Sequence, residues 1–158
     1  MLIGEKDHRA MPDIGYKIPV VSIVDDDESV RDALKGFIQS IGFRAEIFAS
    51  AEDFLVSDML DRTTCMIVDV HMPVMTGLEL QCRLATSRCP IPIIFITAHD
   101  DPAVRVQALR AGAIDFLRKP FNEDALLNAM LFMRPSIESK TRRWADTISG
   151  RSEPQSAR

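Results

Sequence analysis

The 158-residue sequence lacks the features that several classes of protein require. Its three cysteines, Cys65, Cys82 and Cys89, are odd in number and show no C-x-x-C spacing, so neither a disulfide framework nor a cysteine-based zinc site is expected. It contains neither a G-x-G-x-x-G sequence nor a P-loop, which argues against a nucleotide-binding module. We expect reduced thiols in buried or half-buried positions.

The chain also lacks excess positive charge and long apolar runs. Its net charge of -4 argues against general affinity for nucleic acid or for an anionic membrane. Apolar runs such as Ile93–Ile96 are far too short to span a bilayer, and Met1 to Lys17 lacks the apolar core of a signal peptide. With 46% apolar residues, the composition is typical of a globular protein with one core. We therefore predict a single cytoplasmic domain without a membrane partner.

The sequence does contain five short apolar runs that alternate with five amphipathic segments. The runs predict strands over residues 20–24, 44–48, 65–69, 93–97 and 113–117. The amphipathic segments predict helices over residues 29–41, 51–60, 78–87, 101–112 and 122–133. Asp27 and Ser50 are expected to cap the first two helices. The apolar residues expected on the inner side are Val104, Ala108 and Leu109 of the fourth helix and Leu126, Leu127, Met130 and Leu131 of the fifth.

Strands that alternate with helices at this spacing predict an α/β fold with a doubly wound parallel sheet, covered by helices on both faces. Ligands of such sheets bind beyond the carboxyl ends of the strands. Four of the predicted strands end in residues that suit a polar site: Asp25 with Asp26, Asp69, Thr97 and Lys119. Their convergence on one crevice is the main sequence evidence for a functional site.

These strand ends also carry a family resemblance. The segments 23–27 (IVDDD), 68–73 (VDVHMP) with Gly77, 96–98 (ITA) and 116–121 (FLRKPF) together resemble a receiver domain of two-component response regulators. The sequences of residues 96–101 (ITAHDD) and 111–116 (AGAIDF) are similar to those of the FixJ/NarL branch. The resemblance covers about residues 19–134. It implies a (βα)5 flavodoxin-like sandwich with strand order 2-1-3-4-5.

The resemblance further implies that Asp69 accepts a phosphoryl group from a histidine kinase or a histidine phosphotransfer protein. Asp25, Asp26 and Asp69 bring three negative charges against one positive charge on Lys119, which leaves about two charges for a divalent cation to balance. Magnesium suits carboxylate oxygens, and manganese is expected to substitute for it. By the resemblance, Asp26, Asp69 and the backbone carbonyl of His71 ligate the metal, and Asp25 acts largely through water.

The resemblance also assigns the response to phosphorylation. Thr97 and Lys119 are expected to bind the new phosphoryl oxygens, and Phe116 to rotate into the space that Thr97 vacates. The face formed by helix four and strand five would then select a downstream target, and phosphorylation could bring homodimerisation. The bond between Lys119 and Pro120 is expected to be cis. His71 and His99 either tune the lifetime of the acyl phosphate or are ordinary solvated histidines.

The ends of the chain leave several interpretations open. We predict a flexible leader over residues 1–18, a receiver over 19–134 and a basic tail or truncated linker over 135–158. The chain is then a standalone regulator, or the front part of a FixJ-like transcription factor that meets DNA only through an output domain missing here. A phosphatase with an aspartyl nucleophile is disfavoured, because His71 stands where such an enzyme needs a second acid. We therefore expect a phosphoacceptor rather than an enzyme.

Overall fold

A five-stranded parallel sheet forms the centre of the protein in the computed structural model, which describes residues 18–87, 90–99 and 101–132. The strands are β1 (Val20–Val24), β2 (Arg44–Phe48), β3 (Cys65–Asp69), β4 (Ile93–Thr97) and β5 (Asp115–Arg118). Their order is β2-β1-β3-β4-β5, as predicted, and all four neighbouring pairs are parallel. Because β1 lies inside the sheet, strand order reverses beside it, and a crevice forms there at the carboxyl ends.

Helices cover both faces of this sheet. They are α1 (Glu28–Ser40), α2 (Ala51–Val56), α3 (Gly77–Ala85), α4 (Pro102–Arg110) and α5, whose described part covers residues 123–132. The side chains of Asp27, Ser50, Thr76 and Asp101 each accept a hydrogen bond from a backbone N–H of the helix that follows. These caps satisfy donors that have no partner within the helix, which explains where each helix begins.

The core consists of two apolar layers, one on each side of the sheet. Along β1, Val20 and Val24 belong to one layer, whereas Val21 and Ile23 belong to the other. This alternation follows from the two-residue period of a strand. Every residue of β1, β3 and β4 is buried, so these three strands are covered on both faces.

Four predictions about local structure were wrong. The second helix ends at Val56 rather than near residue 60, because the Ser57 hydroxyl donates to the Phe54 carbonyl and accepts from the Met59 N–H, which closes a turn. The last strand begins at Asp115 rather than at residue 113. Cys82 is exposed on α3, although Cys65 is buried as expected.

The fourth error concerns inward-facing residues. Leu109, Leu127 and Leu131 are 41%, 37% and 51% exposed, whereas the residues just before them, Ala108, Leu126 and Met130, are buried. Adjacent helical positions differ by about 100° in direction, so only one member of each apolar pair can face the sheet.

Several predictions fall on residues outside the described ranges. They concern residues 1–17 of the predicted leader, the basic tail, Cys89 and the end of the fifth helix. Among the residues that are described, no helix is both long enough and apolar enough to cross a membrane.

Candidate functional site

Three carboxylates meet at the carboxyl ends of β1 and β3. Asp25 and Asp26 directly follow β1, and Asp69 is the last residue of β3. One oxygen of each carboxylate lies within 4.8 Å of the others. Asp25 is fully buried and Asp69 is 5% exposed, whereas Asp26 faces solvent. The structure therefore brings together the three aspartates that the sequence singled out.

Lys119 supplies positive charge from the far side of this cluster. Its Nζ donates to Oδ2 of Asp25 at 3.0 Å and lies 3.7 Å from Oδ1 of Asp69. A hydrogen bond at the end of β5 positions the residue, because its backbone N–H donates to the Thr97 carbonyl at 2.6 Å. The bond between Lys119 and Pro120 is cis, as expected. One ammonium group thus contacts two carboxylates of the cluster.

The balance of charge in the cluster is unfavourable. The pKa of Asp69 is raised to about 7, mainly by burial and also by the charges of Asp25 and Asp26, while the Lys119 ammonium and the backbone N–H of His71 act to lower it. Within the described part of the chain, Lys119 is the cation that forms ion pairs with these carboxylates, and its single charge cannot balance three. The site therefore favours a proton or a metal ion at Asp69.

The donor set fits a hard divalent cation. Carboxylate oxygens are the ligands that magnesium and manganese prefer, and one or two carboxylates with several waters are the usual protein contribution to a magnesium site. Among the described residues, a metal ion could be shared by three or more acidic, histidine or cysteine side chains at one place. That place is the cluster of Asp25, Asp26 and Asp69. His71 is the second residue of the loop that follows β3, and its carbonyl was expected to contribute to the site.

Thr97 and Phe116, the two residues assigned to a switch, lie on β4 and β5. The buried Thr97 hydroxyl donates to the backbone carbonyl of His99 at 3.0 Å and accepts from its N–H at 3.1 Å. Phe116 is 2% exposed, with its ring 6.3 Å from that of Phe95 and the guanidinium of Arg105 5.5 Å from its centre. The aromatic ring therefore already occupies the interior in this structure.

The loop between β3 and α3 has an unusual backbone. Val74 has a φ of 69°, and the N–H of Met75 donates to the carbonyl of Pro73 at 2.8 Å, which forms a γ-turn. A β-branched residue in this conformation is rare and strained. Gly77 follows, and a Cβ atom there would collide with the backbone carbonyl oxygen of Asp69. The loop is thus held tightly against the end of β3.

Sequence reasoning missed two arginines near the site. Arg31 donates from Nη1 to the backbone carbonyl of Asp25 at 2.8 Å, and Arg105 lies over the ring of Phe116. A signal for the first was available, because Arg31 stands four residues after the cap Asp27 and so returns to the same side of α1. No comparable signal linked Arg105 to Phe116, since that contact joins different elements.

Comparison with known proteins agrees with this geometry. Residues 21–131 match the family described as response regulator receiver domain. Nodulation protein W of Bradyrhizobium diazoefficiens is 43% identical over 112 residues, which cover 71% of this chain and 49% of that protein. Response regulator protein TmoT of Ectopseudomonas mendocina is 48% identical over 111 residues, covering 70% of this chain and 50% of TmoT.

Among solved structures, the crystal structure of FixJ-N is 35% identical, covers 77% of this chain and 95% of its own, and superposes with a TM-score of 0.67. This chain spans about half the length of the two curated relatives. The fold, the strand-end cluster and these matches lead to one conclusion: the chain belongs to the response regulator receiver family, with FixJ among its relatives.

Proposed function

We propose that Asp69 is the phosphoacceptor of this receiver and takes a phosphoryl group from a histidine kinase or a histidine phosphotransfer protein. One observation carries the proposal: three carboxylates from two strand ends lie within 4.8 Å of one another, with a single lysine in contact with two of them. Of the two buried carboxylates, Asp25 accepts hydrogen bonds at both oxygens, from the N–H of Asp27 and from Lys119. Asp69 is the buried carboxylate left to react.

The transfer requires one bond to form and one to break. An Oδ atom of Asp69 attacks phosphorus, the phosphorus–nitrogen bond of the donor phosphohistidine breaks, and its electron pair returns to the imidazole. Lys119 is near enough to move from Asp69 to the new phosphoryl oxygens. Thr97 would have to exchange the His99 carbonyl for a phosphoryl oxygen as the acceptor of its hydroxyl proton.

We propose Mg²⁺ as the cofactor, with Mn²⁺ able to substitute. Asp26, Asp69 and the carbonyl of His71 would hold it, and Asp25 would act largely through water. When bound, the cation neutralises the excess carboxylate charge and stabilises the charge that develops on the transferred phosphoryl group. The raised pKa of Asp69 supports this assignment, because a group that retains a proton near neutral pH is a poor nucleophile until its surroundings become more positive.

The proposed response runs from Thr97 to Phe116 and then to the face formed by α4 and β5. A hydroxyl drawn toward the phosphoryl group would favour the inward position of Phe116 over an outward one. Arg105 over the Phe116 ring couples α4 to this change. The side-chain amide of Gln81 donates to the Ala108 carbonyl at 3.1 Å and so ties α4 to α3, the helix that follows the Asp69 loop. This face would bind the downstream target, and phosphorylation could also promote a homodimer through it.

The extent of the domain and its context are also proposals. We propose a receiver over residues 19–134, with residues 1–18 as a leader and 135–158 as a basic tail or linker. Because the curated relatives are about twice as long as the matched region, we favour a chain that forms the regulatory part of a FixJ-like, DNA-binding transcription regulator over a standalone regulator. We place it in the cytoplasm, and we propose an acceptor that assists its own phosphorylation and dephosphorylation rather than an enzyme.

The test is incubation of the purified protein with acetyl phosphate and magnesium chloride, followed by intact mass measurement. We expect the wild type to gain the mass of one phosphoryl group. Asp69→Asn is the matched control, because it keeps the size of the side chain but removes the nucleophile, and it should gain nothing. Phosphorylation of the variant to the same extent, or no phosphorylation of the wild type at any magnesium concentration, would contradict the assignment.

A further inference from the structure

Two exposed histidines lie on the loops at the carboxyl ends of β3 and β4. His71 follows β3 by two residues and His99 follows β4 by two residues, so they rise from the two loops that flank Asp69 and Thr97. Their imidazole rings are 5.2 Å apart between centres and lie at 83° to each other. Neither side chain has a role in the proposed phosphotransfer, which uses only the backbone of His71.

The separation of the rings matches what a shared metal ion requires. A tetrahedral Zn²⁺ binds imidazole nitrogen at about 2.1 Å, which puts the metal about 3.2 Å from each ring centre and the two centres about 5 Å apart. We propose that His71 and His99 form a second cation site that binds a zinc-type transition metal, with water in its remaining positions. Zinc accepts imidazole readily, whereas magnesium prefers the oxygens of the acidic cluster below.

A metal held in this way would also act on the phosphotransfer site, a consequence that rests on the proposed function. It would join the loop after β3 to the loop after β4 across the crevice, where a phosphodonor must approach Asp69. It would also fix His99, whose backbone N–H and carbonyl hold the Thr97 hydroxyl. The bound metal therefore covers the nucleophile and keeps Thr97 bonded within its own loop, so phosphorylation should slow.

Binding is tested first, without phosphorylation. Zinc chloride is titrated calorimetrically into the purified chain in excess magnesium chloride, which occupies the acidic cluster. We expect the wild type to bind zinc and both His71→Ala and His99→Ala to bind it at least about tenfold more weakly, since even second-shell partners of a metal are commonly worth that factor. Unchanged zinc affinity in both variants would overturn the proposal and leave edge-to-face packing as the explanation of the pair.

Two control variants each remove another plausible zinc ligand. His8→Gln removes the remaining histidine of the chain, and Cys82→Ser removes the exposed thiol of α3. Both should keep the wild-type zinc affinity. If either lowers it as much as His99→Ala does, zinc binds elsewhere and the assignment to the pair is wrong.

The effect on phosphorylation is measured as the ratio of rates with and without zinc, each in excess magnesium. We expect zinc to slow phosphorylation of the wild type by acetyl phosphate about tenfold and to have little effect on the double variant His71→Ala/His99→Ala. Equal inhibition of both proteins would overturn the covering role. Failure of the proposed function is distinguishable, because zinc binding does not need Asp69 to react, and reaction in magnesium alone does not need the histidine pair.

Discussion

Two groups of polar side chains lie at opposite ends of β1 and β3 and differ in how fully their hydrogen bonds and charges are balanced. The hydroxyl cluster, Ser22, Thr63 and Thr64, lies among apolar residues near the amino-terminal ends of these strands. The Ser22 and Thr63 hydroxyls are 2.7 Å apart, Thr63 donates to the Met59 carbonyl at 2.7 Å, and Thr64 accepts from the Val20 N–H at 3.3 Å. Each of its members has a partner.

The charged cluster of Asp25, Asp26, Asp69 and Lys119, at the opposite ends of the same strands, has more negative charge than its lysine can balance. Buried polar groups stabilise a fold when they are satisfied and cost free energy when they are not. The hydroxyl cluster should therefore contribute to stability, and the charged cluster should reduce it until a proton, a metal or a phosphoryl group binds. The following predictions test that contrast.

The largest expected effect is a loss of stability with rising pH in the metal-free protein. The pKa of Asp69 is raised by folding from an ordinary value of 3.8 to about 7, so the folded state holds this proton more tightly than the unfolded state. The resulting stability is complete below the ordinary pKa and is lost as the pH rises through 7. Between pH 5 and 8.5 we expect the free energy of unfolding to fall by about 3 kcal/mol, measured by urea denaturation with a chelator.

Asp69→Asn is the control for this measurement, because it has no proton to lose. The variant should show a much flatter pH dependence and should be more stable than the wild type at pH 8.5. A wild type that gains stability from pH 5 to 8.5 in the presence of chelator would refute the view that the charged cluster destabilises the fold.

Magnesium should restore the stability that the charged cluster loses at high pH. At pH 8.5, magnesium chloride at about thirty times its dissociation constant should raise the free energy of unfolding of the wild type by about 2 kcal/mol, since it binds the folded cluster and not the unfolded chain. Urea denaturation at several magnesium concentrations measures this. Asp26→Asn should respond at higher concentrations only, and a response of Asp26→Asn identical to that of the wild type would place the ion elsewhere.

Substitution in the hydroxyl cluster should lower the stability of the fold, whereas Asp69→Asn in the charged cluster raises it at pH 8.5. Thr63→Val keeps the shape of the side chain but removes its bonds to Ser22 and to the Met59 carbonyl, so we expect a loss of about 1.5 kcal/mol at every pH and magnesium concentration. Thr86→Val is the control, because the exposed Thr86 hydroxyl also donates to a backbone carbonyl of the preceding turn, that of Arg83, at 2.9 Å. If Thr63→Val costs no more than Thr86→Val, the satisfied cluster does not stabilise the fold.

The same contrast explains how much the sequence could predict. The strand ends were predictable because Asp25, Asp69 and Lys119 each interrupt or follow an apolar run, and parallel strands bring such ends to one edge. Their proximity then followed from topology alone. The raised pKa of Asp69 could not be predicted in this way, because it depends on how deeply the carboxyl group is buried and on which carboxylate Lys119 contacts more closely.

Other features escaped prediction because they arise from contacts between elements or from the backbone. Nothing in the sequence marks Val74 as a residue with positive φ, since valine is among the least suited to it. The engagement of Thr97 with its own loop depends on the path of residues 97–99. Apolar periodicity likewise could not decide which of Ala108 and Leu109 faces the sheet, because both fit the same pattern.

The smallest expected effect concerns Arg105, a charge that lies outside both clusters but contacts the aromatic ring proposed to report on one of them. Arg105→Leu should cost about 0.5 kcal/mol of stability, because a cation over an aromatic face contributes little where the cation stays hydrated. Arg110→Leu, on the same helix and exposed, is the control for loss of one positive charge. Urea denaturation should separate the two variants by about that amount. Equal effects would mean that Phe116 is held by packing against Phe95 alone, and that α4 depends on Gln81 rather than on Arg105 for its link to the phosphorylation site.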